Sequence, residues 1–194
     1  MSKTENKVAS YSIIGFGNIG RALAKAFARN GIEVSVATTR DPKSFASDAA
    51  AIGPQIIPTS LMEAVKADVI FLAVRFESHP DVAKTLPSWQ EKTIIDVTNA
   101  YGTPPEKLGG LPSSKFVEQA FTDGRLVKGF NHLGAAILNQ DPAVHGGRRV
   151  VFLASDDDSA TTEISALAEK LGFSPIQLGG LSEGGLLVHA RGNT

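Results

Sequence analysis

Apolar positions along the chain fall in short runs that switch between two periods. Residues 8–14 are apolar and β-branched and break at Gly15; residues 18–30 then place Ile19, Leu23, Ala26 and Phe27 on one helical face and stop at Gly31. Residues 32–37 read as a second strand. Asp41 before Pro42 has the form of an N-cap with proline at the first helical position, opening a helix that ends at Gly53-Pro54. A short strand at 55–58 follows, then a helix at 61–66 capped by Ser60, with Glu63 at capping-box spacing. Residues 68–74 and 93–97 read as buried strands around a helix at 81–86. Residues 98–112 hold Gly102, Pro104, Pro105, Gly109, Gly110 and Pro112 and read as a long loop, a kind of segment that is more often functional than idle. Beyond it the pattern predicts a helix at 114–121, a strand at 126–130, a short helix at 135–138 and a strand at 149–154. An amphipathic helix at 156–171 ending at Gly172 and a strand at 174–178 complete it. The tail, 179–194, is glycine-rich and carries Leu181, Leu186, Leu187 and Val188.

Strands alternating with helices predict an α/β fold: a doubly wound, mostly parallel sheet of Rossmann type with helices on both faces. The dinucleotide-binding domain is expected over 8–178, after a flexible N-terminus at 1–7. A small C-terminal extension at 179–194 would serve an acceptor pocket or a dimer contact. Composition narrows the chemistry. The 194 residues include no cysteine, which removes disulfides, thiolate metal sites and a cysteine nucleophile. A formal net charge of -1 gives no electrostatic footprint for nucleic acid. No apolar run approaches the roughly 20 residues of a membrane span, and the N-terminus lacks an apolar leader segment. A cytoplasmic chain without nucleic-acid or membrane partners is expected. The sequence stops after Arg191-Gly192-Asn193 with no terminating pattern, so a longer natural chain is expected.

Chemistry concentrates where strands end. Gly15-Phe16-Gly17-Asn18-Ile19-Gly20 follows the first strand directly and opens the first helix. Gly15 suits the tight turn, Gly17 the approach of a diphosphate, and Gly20 close helix packing, with the helix N-terminus favouring the negative charge. The second strand ends in Thr38, Thr39 and Arg40, with Lys43 beyond, where an NAD enzyme usually places a carboxylate for the ribose. Hydroxyls and cations there suit a 2′-phosphate, so NADP(H) is the expected cofactor. Asp41 is the alternative partner of Arg40. In an open parallel sheet the ligand lies at the carboxyl ends of the strands. Ala73 and Val74 would back the cofactor beside Arg75, and Asn99 and Asn131 would bond the carboxamide or the second substrate. Tyr101, Asn131 and His132 would line the substrate pocket. His132 is the candidate proton donor, against a loop histidine satisfied by backbone. The four histidines lack metal-ligand spacing, so no metal site is expected. Asp156, Asp157 and Asp158 read as caps of a long helix rather than a cation site, and Asp96 as a structural carboxylate.

The ordered set of motifs resembles the family of NADP-dependent oxidoreductases of the deazaflavin coenzyme F-420. It runs from the glycine loop and Thr38-Thr39-Arg40 through Ile95-Asp96-Val97-Thr98-Asn99 and Lys128-Gly129-Phe130-Asn131. It continues with the three aspartates, Leu171-Gly172-Phe173, Gly179-Gly180-Leu181 and Leu186-Leu187. The resemblance implies NADP contacts at Gly15, Gly17, Asn18, Ile19, Thr38, Thr39, Arg40 and Lys43. It also implies hydride transfer to a deazaflavin or flavin-like ring stacked on the nicotinamide, and a homodimer through the apolar tail. Departures fall at Val74-Arg75-Phe76 and Asn131-His132-Leu133-Gly134, on the acceptor side. Only 22 residues follow Gly172, too few for the helical domain that small-substrate dehydrogenases add. Transfer between two stacked rings needs mainly positioning and exclusion of water. The alternatives are a reductase of a small carbonyl or imine, and a non-catalytic NADP(H) redox sensor.

Overall fold

The computed structural model describes residues 9–189. The expectations for 1–7, for Val8 and for the end of the tail lie outside these residues. An eight-stranded sheet forms the centre. Its strands are β1 (Tyr11–Ile14), β2 (Val34–Ala37), β3 (Ile56–Pro58), β4 (Val69–Leu72), β5 (Thr93–Asp96) and β6 (Arg125–Gly129), then, past a hairpin, β9 (Val150–Ala154) and β10 (Ser174–Gln177). The hairpin strands are β7 (Ala143–Val144) and β8 (Gly147–Arg148). The helices are α1 (Asn18–Arg29), α2 (Ala46–Ala50), α3 (Leu61–Ala64), α4 (His79–Ala83), α5 (Pro105–Leu108), α6 (Ser113–Ala120), α7 (Ala135–Leu138), α8 (Asp158–Lys170) and α9 (Gly184–Leu187).

The sheet order is β10-β9-β6-β5-β4-β1-β2-β3. From β3 to β6 every pairing is parallel, and the order reverses between β1 and β4, the switch point of a doubly wound sheet. The expected fold is therefore observed, with one addition. β9 runs antiparallel to β6, through Lys128↔Ala154 and Gly129↔Leu153, and β10 runs parallel to β9. The start of β9 thus lies at the same end of the sheet as the finish of β6.

Strands β4 and β5 are buried at every position because apolar side chains serve both faces. Ile13, Phe71, Ile95 and Val127 join one core with Leu23, Phe27 and Ile164. Their neighbours Ile14, Ile70, Ile94 and Leu126 join a second core with Val82, Trp89 and Val117. Val151 and Leu153 of β9 belong to the first core. Among the described residues, β9 and β10 contribute nothing to the second; on that face α9 packs against the Ala154 end of β9, while Val150, Phe152 and β10 stay partly open.

Two local expectations are corrected. Residues 42–53 do not form one helix: a 3-10 turn over Pro42–Phe45 precedes α2. Phe45 turns off the helical path at φ -130° and drops fully into the core against Phe16, ring centres 5.7 Å apart. Residues 98–112 are not all loop, because proline is favoured in the first turn of a helix and α5 begins there. Within the glycine-rich tail a short helix, α9, forms. Among the described residues no helix is long and apolar enough to cross a membrane.

Candidate functional site

The glycine loop is fixed by steric contact. A Cβ on Gly15, whose φ is +104°, would stand 2.3 Å from the Ala73 carbonyl oxygen; one on Gly20 would stand 1.9 Å from the Gly15 oxygen. One on Gly17 would meet nothing within 4 Å. The loop is thus closed toward β4 and α1 and open at Gly17, where the first amides of α1 have no carbonyl of their own helix to bond. These residues fit a dinucleotide diphosphate. The Phe16 side chain points inward, buried, with Arg21 over its ring at 4.8 Å, so this residue offers its backbone to the loop's outer side. Arg21 Nε in turn donates to the Phe16 carbonyl, which braces the turn.

At the end of β2, Thr38 Oγ1 accepts the Arg40 amide at 3.0 Å. Asp41 does not pair with Arg40. Its carboxylate accepts the Lys43 amide at 2.8 Å and caps the 3-10 turn. Thr39, Arg40 and Lys43 are exposed around this turn, and the Arg40 guanidinium sits 5.8 Å from the centre of the Phe45 ring.

Two clefts meet at the carboxyl ends of the parallel strands. The first, about 380 Å³, is lined by Ile19, Ala73, Val74 and Arg75, with Val97, Thr98, Asn99 and Tyr101 on its far wall. The second, about 680 Å³, is lined by Tyr101, Asn131, His132 and Phe152 and by Leu187, Val188 and His189 of the tail. Tyr101, 61% exposed, borders both. Sequence reasoning assigned Asn131, His132 and Tyr101 to one pocket. It offered the tail, 179–194, as an acceptor pocket or a dimer contact, and missed Phe152, which only the antiparallel return of β9 brings there.

A hydrogen-bonded chain runs beneath the two clefts. Lys128 and Asp96, 1% and 0% exposed at the side chain, pair at 3.0 Å between β5 and β6. Lys128 Nζ also donates to the Thr98 carbonyl, and Asp96 Oδ1 accepts the Thr98 amide and hydroxyl. Burial lowers the Lys128 pKa against the pull of Asp96. Asn99 Nδ2 donates to the Asn131 carbonyl, and Asn131 Nδ2 donates both to Asn99 Oδ1 and to the Val188 carbonyl. The tail is thereby tied to the strand ends. Phe130, fully buried, adopts a left-handed φ of +62°, which turns the chain sharply before Asn131 and His132. Lys128 was not singled out in the sequence, since nothing local shows that a lysine is buried and paired.

His132 packs on Phe152 with ring centres 4.9 Å apart, and its Nε2 faces the Val150 carbonyl at 3.4 Å. Burial favours the neutral ring and lowers its pKa, against the opposing hydrogen bond to Val150. A carbonyl only accepts, so Nε2 carries the hydrogen and Nδ1 is left as a lone pair. Nδ1 is buried without a hydrogen-bond partner among the described residues. His189, also lowered by burial, faces Ser113 Oγ at 3.4 Å. Asp157 caps α8 through the Ala160 amide, as expected, whereas Asp156 holds Lys115 and the Leu181 amide.

Comparisons with known proteins agree with this geometry. The family described as NADP oxidoreductase, coenzyme F420-dependent, matches residues 10–100. The chain is 28% identical to metalloreductase STEAP3 of Rattus norvegicus over 185 residues, 94% of this chain and 36% of that protein. It thus spans about a third of the length of the curated relatives it matches. The solved structure of hypothetical protein SMa0349 from Sinorhizobium meliloti superposes with a TM-score of 0.90 at 34% identity, covering 95% of this chain and 92% of that one. A protein of Arthrobacter sp. FB24 proposed as an F420-dependent NADP reductase shares the fold, with a TM-score of 0.71 at 24% identity over 90% and 86% of the two chains. By these matches, residues 10–100, which hold the glycine loop and the first strand ends, carry the domain described as NADP oxidoreductase, coenzyme F420-dependent, and the chain as a whole shares its fold with dinucleotide-binding reductases.

Proposed function

We propose that the protein passes hydride between NADP(H) in the first cleft and a flat ring acceptor, a flavin or deazaflavin, in the second. The observation that carries this is the pair of clefts meeting at Tyr101, one beside the glycine loop and one lined by aromatic, apolar and uncharged polar side chains. The amides of Asn18, Ile19 and Gly20 hold the diphosphate, and Thr38, Thr39, Arg40 and Lys43 hold the 2′-phosphate. Ile19, Ala73, Val74 and Val97 wall the nicotinamide against water. Asn99 orients the carboxamide side, its own amide held by Asn131. When bound, NADP(H) supplies or receives the hydride. His132 and His189 are the imidazoles lining the second cleft and would serve the proton that a reduced ring releases. Leu187, Val188 and Tyr101 limit water at the junction, which a hydride requires.

The test is NADPH oxidation with F-420, FMN, FAD and a panel of small aldehydes and imines in parallel. A ferric chelate belongs in the set, because curated relatives are metalloreductases. Turnover with one ring acceptor is expected. Turnover confined to aldehydes or imines would replace the ring reading. Tight NADPH binding with no turnover on any acceptor would point to a sensor.

A further inference from the structure

The second cleft opens beside α9 on the face of β9 that carries Val150 and Phe152, which stay partly open, and what lies further along that face bears on the acceptor. In extended chain, side chains alternate. Val151 and Leu153 point into the core and are fully buried, while Val150 and Phe152 on the opposite side are partly open. β8 ends at Arg148 and a single residue, Arg149, separates it from β9. The same alternation sends Arg149 with Val151 and Arg148 with Phe152. The contacts agree. Arg149 has a buried Nε and donates to Gln140 Oε1 at 3.2 Å, while its amide donates to the Pro142 carbonyl. Arg148 is exposed and makes no ion pair or side-chain hydrogen bond among the described residues. The neighbouring acid, Asp141, turns its carboxylate to the Ala143 amide at 2.8 Å. His145 and Gly146, both at positive φ, make the two-residue turn that holds β7 and β8 together and so fixes where Arg148 projects.

Four residues of extended chain put Arg148 roughly 13 Å from Phe152 along one face. The cleft itself is lined by no Lys, Arg, Asp or Glu. An uncharged ring therefore suits the cleft, and a negative group on a chain of ribityl length suits the arginine. We infer that Arg148 selects the acceptor by binding its phosphate, so the acceptor is a phosphorylated ring cofactor rather than the free ring. This rests on the second cleft being the ring site.

FMN and riboflavin differ by the phosphate alone, which makes them the probes. Each is titrated, by quenching of ring fluorescence, into the protein saturated with NADP+. FMN is expected to bind about tenfold more tightly than riboflavin in about 20 mM salt, and the preference is expected to shrink in about 0.5 M salt as the charges are screened. Arg148→Ala is expected to bring FMN to the affinity of riboflavin and to leave riboflavin unmoved, and Arg148→Lys to keep part of the preference. The hairpin position is exposed, so folding is not at risk. Equal binding of the two rings to the unaltered protein, or an FMN preference that survives Arg148→Ala, overturns the role of Arg148 and leaves the ring site standing. Binding of neither ring overturns both.

Discussion

Arg40 lies at the surface over the Phe45 ring, with no carboxylate among the described residues paired to it. An arginine so placed serves a ligand anion better than it serves the fold. Arg40→Ala is expected to weaken NADPH tenfold or more, about 1.4 kcal/mol, and to leave NADH nearly unchanged; titration with both nucleotides checks it, and equal loss for both would make Arg40 structural. Ser12 presents the reverse case. It is fully buried in β1 and its hydroxyl has no partner among the described residues. An unsatisfied buried hydroxyl is a cost, so Ser12→Ala is expected to stabilise the protein by up to about 1 kcal/mol in urea unfolding. The two residues also divide what was legible. The place of Thr38, Thr39 and Arg40 just after a strand could be read from sequence, because the apolar run before them is local. The idle hydroxyl of Ser12 could not, because satisfaction of a polar group depends on neighbours from β2 and β4.

At the scale of elements, β5 and β6 are joined by more than their ladder. Lys128→Met leaves Asp96 charged, buried and unpaired, and is expected to cost about 3–5 kcal/mol of stability. Adding Asp96→Asn, which keeps an acceptor for the Thr98 amide, is expected to recover much of that loss; urea titrations of both variants decide. The tail is held differently, by Asp156 on the Leu181 amide and on Lys115. The hydrogen bond from Lys115, helped by that from Leu181, lowers the Asp156 pKa below its ordinary 3.8, and the same contact raises that of Lys115 above 10.5. A lowered carboxylate contributes stability above its unfolded value and loses it as the pH falls through the folded one. A raised lysine contributes below 10.5 and loses it as the pH rises through the folded value. The tail contact is therefore expected to hold between those limits and to loosen in acid below pH 3.8. Amide exchange of Leu181, compared between pH 3 and pH 6 after correction for intrinsic rate, reports it. Sequence patterns found the main strands because their apolar runs are continuous. They misjudged residues 42–53, where burial of Phe45 overrides helix continuation, and residues 98–112, where prolines begin a helix rather than break one.

For the whole molecule, a nucleotide that bridges the glycine loop, the end of β2 and the end of β4 binds only the folded chain. NADPH at a hundred times its Kd is expected to stabilise the protein by about 2.7 kcal/mol. A thermal melt should show the rise in Tm, and NADH at the same concentration should produce a smaller one. The sequence by itself determined the layer architecture, the glycine loop and the hydroxyls and cations at the second strand's end. Each of these rests on local rules: period of burial, steric room at one backbone position, charge beside one turn. Only the tertiary structure decided the rest. The antiparallel insertion of β9 beside β6 brings Phe152 under His132. The tail folds back to Asn131, and Lys128 meets Asp96 across two strands. These pairings join residues tens of positions apart, and their energies come from desolvation and packing, which no local pattern encodes.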